Sequence, residues 1–509
     1  MKLKNFLALA IILVLASCSA NDRTANTEMG RMMAAPEMAD SEDVYMMDML
    51  EPPILSLDPS SETHLEIIEN DWVNPQDESA ISFTLQIDTA SYGNISRMIN
   101  DGYKPPVDAV RIAEMLNYFN FEVSAPFVDD SPFSVYAEIG RSPFNPENHL
   151  AFVRVKTKEI DRSELPPSNL TFLVDTSGSM SPPNRLPLFQ QAMALLVENL
   201  NENDVVSIVT YAGSSEIVLD SVPGNRRDEI INAVNNFWAS GSTAGAQGIL
   251  TAYELVRKNF NPNMNNRIIL ATDGDFNVGL SSVSEITDLM NEERRRGVYM
   301  TLLGFGHGNF RDDMMETIAA NGNANYHYIN NLQDARKVFV EELISNLFVI
   351  AEETRAQIEF NPNLVNGYRL IGYENRIMDN RDFENDFRDA GEIGVGSEIV
   401  LMFELDLSDY ASESEPLFEI RIRYKEPGEF ESRLITLPVN RENVLRTNTQ
   451  DFNFAAAVAV FGHILRDSEH IGAANINTAM DLAVNNLGSD RGGHRRTFVR
   501  LLETFQDID

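Results

Sequence analysis

The sequence predicts an α/β protein in which a doubly wound, mainly parallel sheet is inserted in, or flanked by, a β domain and is followed by a helical segment. Three observations predict this fold class. Short buried strands alternate with longer amphipathic helices from residue 170 onwards. Runs with β-type alternation stand on both sides of that region, and helical periodicity alone remains after residue 450. A regular strand–helix alternation places helices on both faces of a parallel sheet.

The composition excludes some classes of function. At roughly 150 residues per domain, 509 residues suggest about three domains. The chain has 40 Lys and Arg against 77 Asp and Glu, a net charge of −37 that repels nucleic acid. Because 43% of the residues are apolar, which is ordinary for a globular protein, we expect the acidity to lie on surfaces and linkers.

The first 17 residues have the pattern of a signal peptide. Lys2 and Lys4 precede an apolar run at 6–15, and small residues stand just before Cys18, the single cysteine of the chain. This pattern resembles a bacterial lipobox. The resemblance implies cleavage before Cys18, a lipid on its thiol and acylation of the new amino terminus.

Membrane attachment through that lipid alone is the expectation, because no other stretch reaches the roughly 18 apolar residues that a membrane span needs. We therefore expect an extracytoplasmic protein that is lipid-anchored in a bacterial cell envelope. Ser19, rather than an aspartate, follows Cys18 and favours the outer membrane. Residues 18–77 are acidic, rich in methionine and interrupted by prolines, which predicts a tether.

An N-terminal α+β domain is predicted over 78–165. A strand at 81–87 leads into a helix for which Asp88 and Thr89 offer N-cap oxygens. The other predicted elements are a second helix, with Val110, Ile112, Met115, Leu116 and Phe119 on one face, and strands at 133–139 and 150–155.

The α/β alternation occupies 166–350. Strands are predicted at 171–174, 205–210, 216–219, 268–271, 299–304 and 326–329. Helices are predicted at 188–200, 227–237, 246–256, 283–295, 311–320 and 332–347. Such sheets bind ligands outside the carboxyl ends of their strands, so the loops after the first and fourth strands are the first place to look for a site.

Two further regions complete the chain, a β-rich domain at 351–440 and a helical region at 441–509. The β-rich part has strands predicted at 356–360, 368–372, 398–405, 417–424 and 432–439. In the helical part, Asp451 is a predicted N-cap. We expect strands before residue 170 to pair with strands after residue 351, because the two ends of an inserted α/β domain emerge together.

Three oxygen-bearing side chains follow the first strand of the α/β region. Asp175, Ser177 and Ser179 stand at i, i+2 and i+4, and Gly178 permits a tight turn. Hard oxygen donors suit Mg²⁺, with Ca²⁺ or Mn²⁺ as substitutes. Taken alone, the same residues also fit a helix-capping turn.

Two more loops strengthen the metal interpretation. Thr243 precedes a helix in the segment 241–245, and Asp273 follows the strand at 268–271. All three loops should meet at one edge of the sheet. The shell would carry two formal negative charges, Asp175 and Asp273, so a bound cation stays electrophilic and accepts a carboxylate from a partner.

These three segments, in this order, resemble the von Willebrand factor type A domain and its metal-ion-dependent adhesion site, over roughly 168–350. The resemblance implies that Ser177, Ser179 and Thr243 donate hydroxyl ligands and that Asp175 and Asp273 act largely through bound waters. It also implies that an Asp or Glu of a protein ligand completes the shell.

The flanking segments resemble bacterial von Willebrand lipoproteins that carry an associated N-terminal domain and a C-terminal domain of unknown function. The segments that carry this resemblance are 87–92, 108–112, 373–376, 389–394 and 488–502. Within the first, Asp88 begins an echo of the metal motif, but Ala90 and Tyr92 take the hydroxyl positions, which favours a helix cap.

The sequence does not favour an enzyme. It has no His-Glu-x-x-His pattern, no P-loop and no Gly-x-Ser-x-Gly around Ser177 and Ser179. His463 and His470 lie near an apolar helix, where buried or partly buried imidazoles are more common than ligands. Asp273 and Asp275 resemble a catalytic pair, but neighbouring acids on a loop mostly serve metal binding and capping.

Two functions from different classes remain. The first is a cell-envelope binding protein that holds a divalent metal and, through it, a carboxylate of a protein ligand. The alternative is a scaffold of an envelope complex in which the metal is structural. An enzyme is the third hypothesis.

Overall fold

The computed structural model describes residues 61–243, 245–274, 283–409 and 415–508. Cys18, the predicted signal peptide, residues 18–60 of the predicted tether and Asp275 lie outside the described residues. Within the described ranges, no helix is long and apolar enough to cross a membrane.

The strands are β1 (Ala80–Thr84), β2 (Phe133–Arg141), β3 (His149–Thr157), β4 (Ser168–Asp175), β5 (Val205–Tyr211), β6 (Ser215–Pro223), β7 (Asn265–Thr272), β8 (Val298–Phe305), β9 (Asn325–Ile329), β10 (Val349–Phe360), β11 (Val365–Ile371), β12 (Ile377–Met378), β13 (Gly391–Gly394), β14 (Glu398–Leu407), β15 (Phe418–Lys425) and β16 (Arg433–Val439). The α-helices are α1 (Ala90–Asn100), α2 (Ile112–Asn117), α3 (Leu186–Val197), α4 (Arg227–Asn235), α5 (Gly245–Lys258), α6 (Val283–Arg294), α7 (Asp312–Gly322), α8 (Leu332–Arg336), α9 (Leu343–Leu347), α10 (Gln450–Leu465), α11 (Ile476–Val484) and α12 (His494–Ile508).

The central region is the predicted doubly wound sheet. Its strands lie in the order β6-β5-β4-β7-β8-β9, and all pairs are parallel except β5–β6 at one edge. Successive residues of β4 serve opposite faces: Phe172 packs in a core with Phe189 of α3, and Leu173 packs in a core with Tyr253 of α5. Helices therefore cover both faces, as the alternation predicts.

A β-sandwich is assembled from both sides of that region. β1 pairs with β10 in one sheet, and β3 pairs with β14 in the other. The predicted pairing of early with late strands is thus confirmed. The two ends of the inserted domain lie together, since the guanidinium of Arg162 stacks 4.9 Å from the ring centre of Phe348.

Helices form a third layer on the outer face of the four-stranded sheet. In β3, Leu150 and Phe152 pack against the helices, whereas Ala151 and Val153 face the other sheet. This follows from the two-residue period of a strand. The helical layer consists of α1, α2, α10, α11 and α12, whose apolar side chains share one core.

One predicted helix is interrupted. The segment 332–347 divides into α8, a π-helical turn at Lys337–Glu341, and α9. The turn places the buried Lys337 ammonium 2.5 Å from a carboxylate oxygen of Glu342 and 5.0 Å from the ring centre of Tyr118. Sequence periodicity does not reveal this, because the partner Tyr118 is remote in the chain.

Two predicted helix caps are wrong. The carboxylate of Asp88 accepts hydrogen bonds from the Tyr326 backbone N–H (2.9 Å) and from Arg376 (2.6 Å), and the Thr89 hydroxyl contacts His327 (2.9 Å). Neither side chain caps α1. The side chains of Asp88 and Thr89 instead bind groups in distant parts of the chain. Two of these partners, Tyr326 and His327, belong to β9 of the central sheet.

Asp451 is the second wrong cap. Its carboxylate accepts the backbone N–H groups of Glu122 (2.5 Å) and Val123 (2.7 Å), and Thr449 caps α10 through the N–H of Phe452 (3.1 Å). Acidic side chains near helix starts thus serve tertiary contacts here.

The acidity is also not confined to surfaces and linkers. Several carboxylates are buried and paired with arginines: Glu62 with Arg97, Asp312 with Arg111, Glu316 with Arg376, Glu404 with Arg369, and Asp451 with Arg495. Residues 61–77, which the sequence assigns to the tether, contact the folded chain, with isolated bridges from Thr63 to Arg311 and from Val73 to Tyr368.

Candidate metal-binding site

The first predicted metal loop begins where β4 ends, at the carboxyl edge of the central sheet. The Ser177 N–H donates to Oδ1 of Asp175 at 2.8 Å, which turns the chain back on itself. The hydroxyls of Ser177 and Ser179 then lie 3.0 Å apart. The structure therefore brings these three predicted residues together.

Asp175 is buried, and its second oxygen also has partners. Oδ2 accepts the hydroxyls of Tyr211 and Thr272, each at 3.2 Å. Burial raises the pKa of Asp175 to about 6, the nearby charge of Asp273 adds to this, and hydrogen bonds from Ser177 oppose it. A carboxylate in this environment is stabilised by any cation placed beside it.

Asp273 follows the end of β7, the neighbour of β4 in the sheet, and its side chain is fully buried. It forms an ion pair with Arg185, whose Nη1 also donates to the Ser179 carbonyl at 2.7 Å. Two predicted loops are thus joined by a residue that the sequence did not single out.

The third loop, which contains Thr243, packs against the first. The Ser240 N–H donates to the Thr176 carbonyl at 2.8 Å, and the Gly178 N–H donates to the Gly241 carbonyl at 3.0 Å. A Cβ on Gly178 would lie 3.3 Å from that carbonyl oxygen, so glycine allows the close approach. Thr243 itself is half-buried.

The donor set fits a hard divalent cation. Among the described residues, no group of three or more His, Cys, Asp and Glu side chains could hold a metal. A cation here would therefore depend on two carboxylates, Asp175 and Asp273, together with serine and threonine hydroxyls. Such oxygen donors match Mg²⁺, which keeps several waters and uses one or two carboxylates.

Sequence reasoning missed Arg185, Tyr211 and Thr272. One signal pointed to the arginine, because it stands directly before the helix α3, where positive charge is unfavourable. Nothing in the pattern of a β-strand residue distinguishes Tyr211 or Thr272 from ordinary core positions.

Comparison with known proteins identifies the family of this chain. Residues 169–345 match the family described as von Willebrand factor type A domain, residues 58–152 match von Willebrand factor, and residues 345–508 match "Uncharacterized protein YfbK, C-terminal". The YfbK protein of Escherichia coli (strain K12) is 40% identical over 445 residues, which cover 83% of this chain and 77% of that protein.

Two other similar proteins are more distant. "Uncharacterized protein sll0103" of Synechocystis is 23% identical over 293 residues, covering 56% of this chain and 68% of that protein. The solved "von Willebrand factor type A from Catenulispora acidiphila" is 15% identical and covers 75% of this chain and 91% of that chain, with a TM-score of 0.42.

A von Willebrand factor type A domain indicates a protein-interaction or adhesion type of function. The chain belongs to the family of YfbK, which joins a von Willebrand factor type A domain to a YfbK C-terminal domain.

Proposed function

We propose that this protein lies in the bacterial cell envelope and binds a divalent cation, Mg²⁺ above all, and through it a carboxylate of a protein partner. The observation that carries the proposal is the pair of buried carboxylates, Asp175 and Asp273, at the ends of adjacent strands beside the Ser177 and Ser179 hydroxyls. The cation would supply a Lewis-acidic centre for the partner's Asp or Glu. Lipid on Cys18 would hold the protein at the membrane.

We assign no catalytic step to this site. Nucleophilic catalysis by a serine needs a base within hydrogen-bond reach of its hydroxyl. The Ser177 hydroxyl is bonded to the Ser179 hydroxyl and to Asp175, whose carboxylate is already engaged by the hydroxyls of Tyr211 and Thr272. A binding role accounts for these hydroxyls without a reaction.

Loss of the Asp175 carboxylate is expected to abolish Mg²⁺ binding. Asp175→Ala removes one of the two charges and the acceptor that orders the Ser177 turn, so the Mg²⁺ affinity measured by isothermal titration should fall at least ~100-fold, the effect of losing a buried charge contact. Asp228→Ala, on the exposed surface of α4, is the matched control and should bind as the wild type does. Equal Mg²⁺ affinity in both variants would refute the metal assignment.

A crosslinking pull-down from native membranes, with and without a chelator, separates binding from scaffolding. If the cation bridges to the partner, a chelator removes that partner, and Asp175→Ala does the same without a chelator. If the metal is structural, chelation lowers the melting temperature but leaves the partners unchanged.

The position of the cation can be tested with Tb³⁺ as a luminescent substitute. Trp238 is 80% exposed and stands two residues before Ser240, whose N–H is bonded to the first metal loop, so its backbone lies within about 7 Å of Ser240. We expect Trp238 to sensitise Tb³⁺ luminescence. The signal excited through tryptophan should be lost in Trp238→Phe and retained in Trp72→Phe, which changes the chain's other tryptophan, a partly exposed residue beside Gly367 of β11. Retention of the signal in Trp238→Phe would place the ion elsewhere.

A further inference from the structure

We propose that Arg185 is a specificity-determining residue of this site. Its positive charge lowers the affinity of the site for the divalent cation. It also leaves the site with a net positive charge once the cation is bound, which favours an anionic ligand. The inference rests on the proposed function. Its starting observation is that the Arg185 side chain, 3% exposed, pairs with the fully buried carboxylate of Asp273.

The guanidinium is held by three loops at the carboxyl edge of the sheet. Nη1 donates to Asp273 and to the Ser179 carbonyl, and Nη2 donates to the His307 carbonyl (2.5 Å) and to Oδ1 of Asn309 (2.7 Å). The backbone leaves room for this side chain, because a Cβ on Gly306 would lie 2.1 Å from Nε of Arg185. The position of the charge is therefore built into the loops.

The location of Arg185 disfavours a purely structural explanation for its charge. It is the N-cap residue of α3 and makes no side-chain capping bond. The N-terminal end of a helix carries a partial positive charge, so a cation there is destabilising. Its Nε–H is also buried without a partner among the described residues. The helix position and the unpartnered Nε–H both destabilise the charge. We therefore infer that the charge is present because it neutralises the carboxylate of Asp273.

The balance of charges gives the direction of the effect. Asp175 and Asp273 contribute two negative charges and Arg185 one positive charge, so the site without a cation has a net charge of minus one. A divalent cation changes this to plus one, which attracts a ligand carboxylate. Without Arg185 the loaded site would be neutral, and it would hold the cation more tightly but the carboxylate less well.

The decisive experiment is a Mg²⁺ titration, by isothermal calorimetry, of the full chain with Arg185 exchanged. We expect Arg185→Met to bind Mg²⁺ roughly tenfold more tightly than the wild type, because a repelling charge near the ion is gone. Arg185→Lys keeps the positive charge, so it should not show the gain in Mg²⁺ affinity expected for Arg185→Met. A residue that merely shapes the loops would give the opposite sign, with weaker Mg²⁺ binding in Arg185→Met.

A second measurement uses acetate to stand in for the ligand carboxylate. Excess acetate should raise the Mg²⁺ affinity of the wild type, since coupling between two ligands is reciprocal, and should raise that of Arg185→Met less. The wild-type arm remains informative even if Arg185→Met fails to fold, and Arg185→Gln is the second variant. An absence of Mg²⁺ binding in the wild type would overturn the proposed function. Mg²⁺ binding by the wild type, with equal or weaker binding in Arg185→Met or no effect of acetate, would overturn the role of Arg185 alone.

Discussion

Replacing Arg111 with methionine is expected to lower the free energy of unfolding by about 3–5 kcal/mol, the usual effect of removing one partner from a buried ion pair. Arg111 lies just before α2, and Asp312 begins α7 of the central region. Their side chains are 7% and 1% exposed. The pair therefore joins the von Willebrand domain to the flanking helices and is almost entirely shielded from water.

The geometry explains why the loss should be large. The two Nη atoms of Arg111 donate to the two oxygens of Asp312 at 2.6 and 3.1 Å, and its Nε donates to Glu114. Burial raises the pKa of Asp312, but the charge and hydrogen bonds of Arg111, with a hydrogen bond from His64, more than reverse this and hold that pKa well below its usual range. Without Arg111, the buried carboxylate of Asp312 would lose most of the interactions that offset its removal from water.

Urea unfolding of Arg111→Met beside a matched surface variant provides the measurement. Arg226→Met removes an exposed arginine from its pair with Glu229, where the side chains are 64% and 45% exposed, and such pairs contribute about 0–1 kcal/mol. Equal losses in the two variants would show that the buried pair does not stabilise the junction.

The fold could be predicted wherever its signal is local. The strand predicted at 205–210 is β5 (Val205–Tyr211), and the helix predicted at 227–237 is α4 (Arg227–Asn235), because the periods of strands and helices appear in the sequence itself. The roles of Asp88 and Asp451 could not be predicted. Each carboxylate binds groups remote in sequence, and nothing local distinguishes such a tertiary acceptor from a helix cap.

The candidate site divides in the same way. The spacing of Asp175, Ser177 and Ser179 identifies one loop, and parallel strands bring Asp273 to the same edge. Arg185 could not be predicted in this way, because its contact with Asp273 depends on where the loop before α3 lies relative to the end of β7. The motif therefore predicts which oxygens meet but not the charge that accompanies them.

Removing the charge of a second buried ion pair is expected to raise the free energy of unfolding, whereas removing that of Arg111 lowers it. Glu392 of β13 pairs with Arg294 of α6 at 3.1 Å, and Arg294 keeps a second partner in Asp389 at 2.5 Å. Burial raises the pKa of Glu392 to about 7; Arg294 opposes this, Glu352 adds to it, and Arg267 lowers it. Desolvation thus outweighs the ion pair.

The raised pKa sets the pH dependence. Below about pH 4.5, Glu392 is protonated in both the folded and the unfolded protein, and its contribution to the free energy of unfolding is fully present. As the pH rises towards about 7, the unfolded chain ionises first, so that contribution is progressively lost. At about pH 8 the loss amounts to about 3 kcal/mol, at 1.36 kcal/mol per pKa unit.

Glu392→Gln is therefore expected to stabilise the protein at about pH 8, by up to about 3 kcal/mol, and to leave it near the wild type at about pH 4.5. Glutamine cannot ionise, and Arg294 still has Asp389 as a partner. Urea unfolding across this pH range measures the difference, with Glu384→Gln, an exposed glutamate of the same sandwich, as the control. If Glu392→Gln were less stable than the wild type at about pH 8, the ion pair with Arg294 would outweigh burial, and this contact would stabilise the junction as the Arg111 pair does.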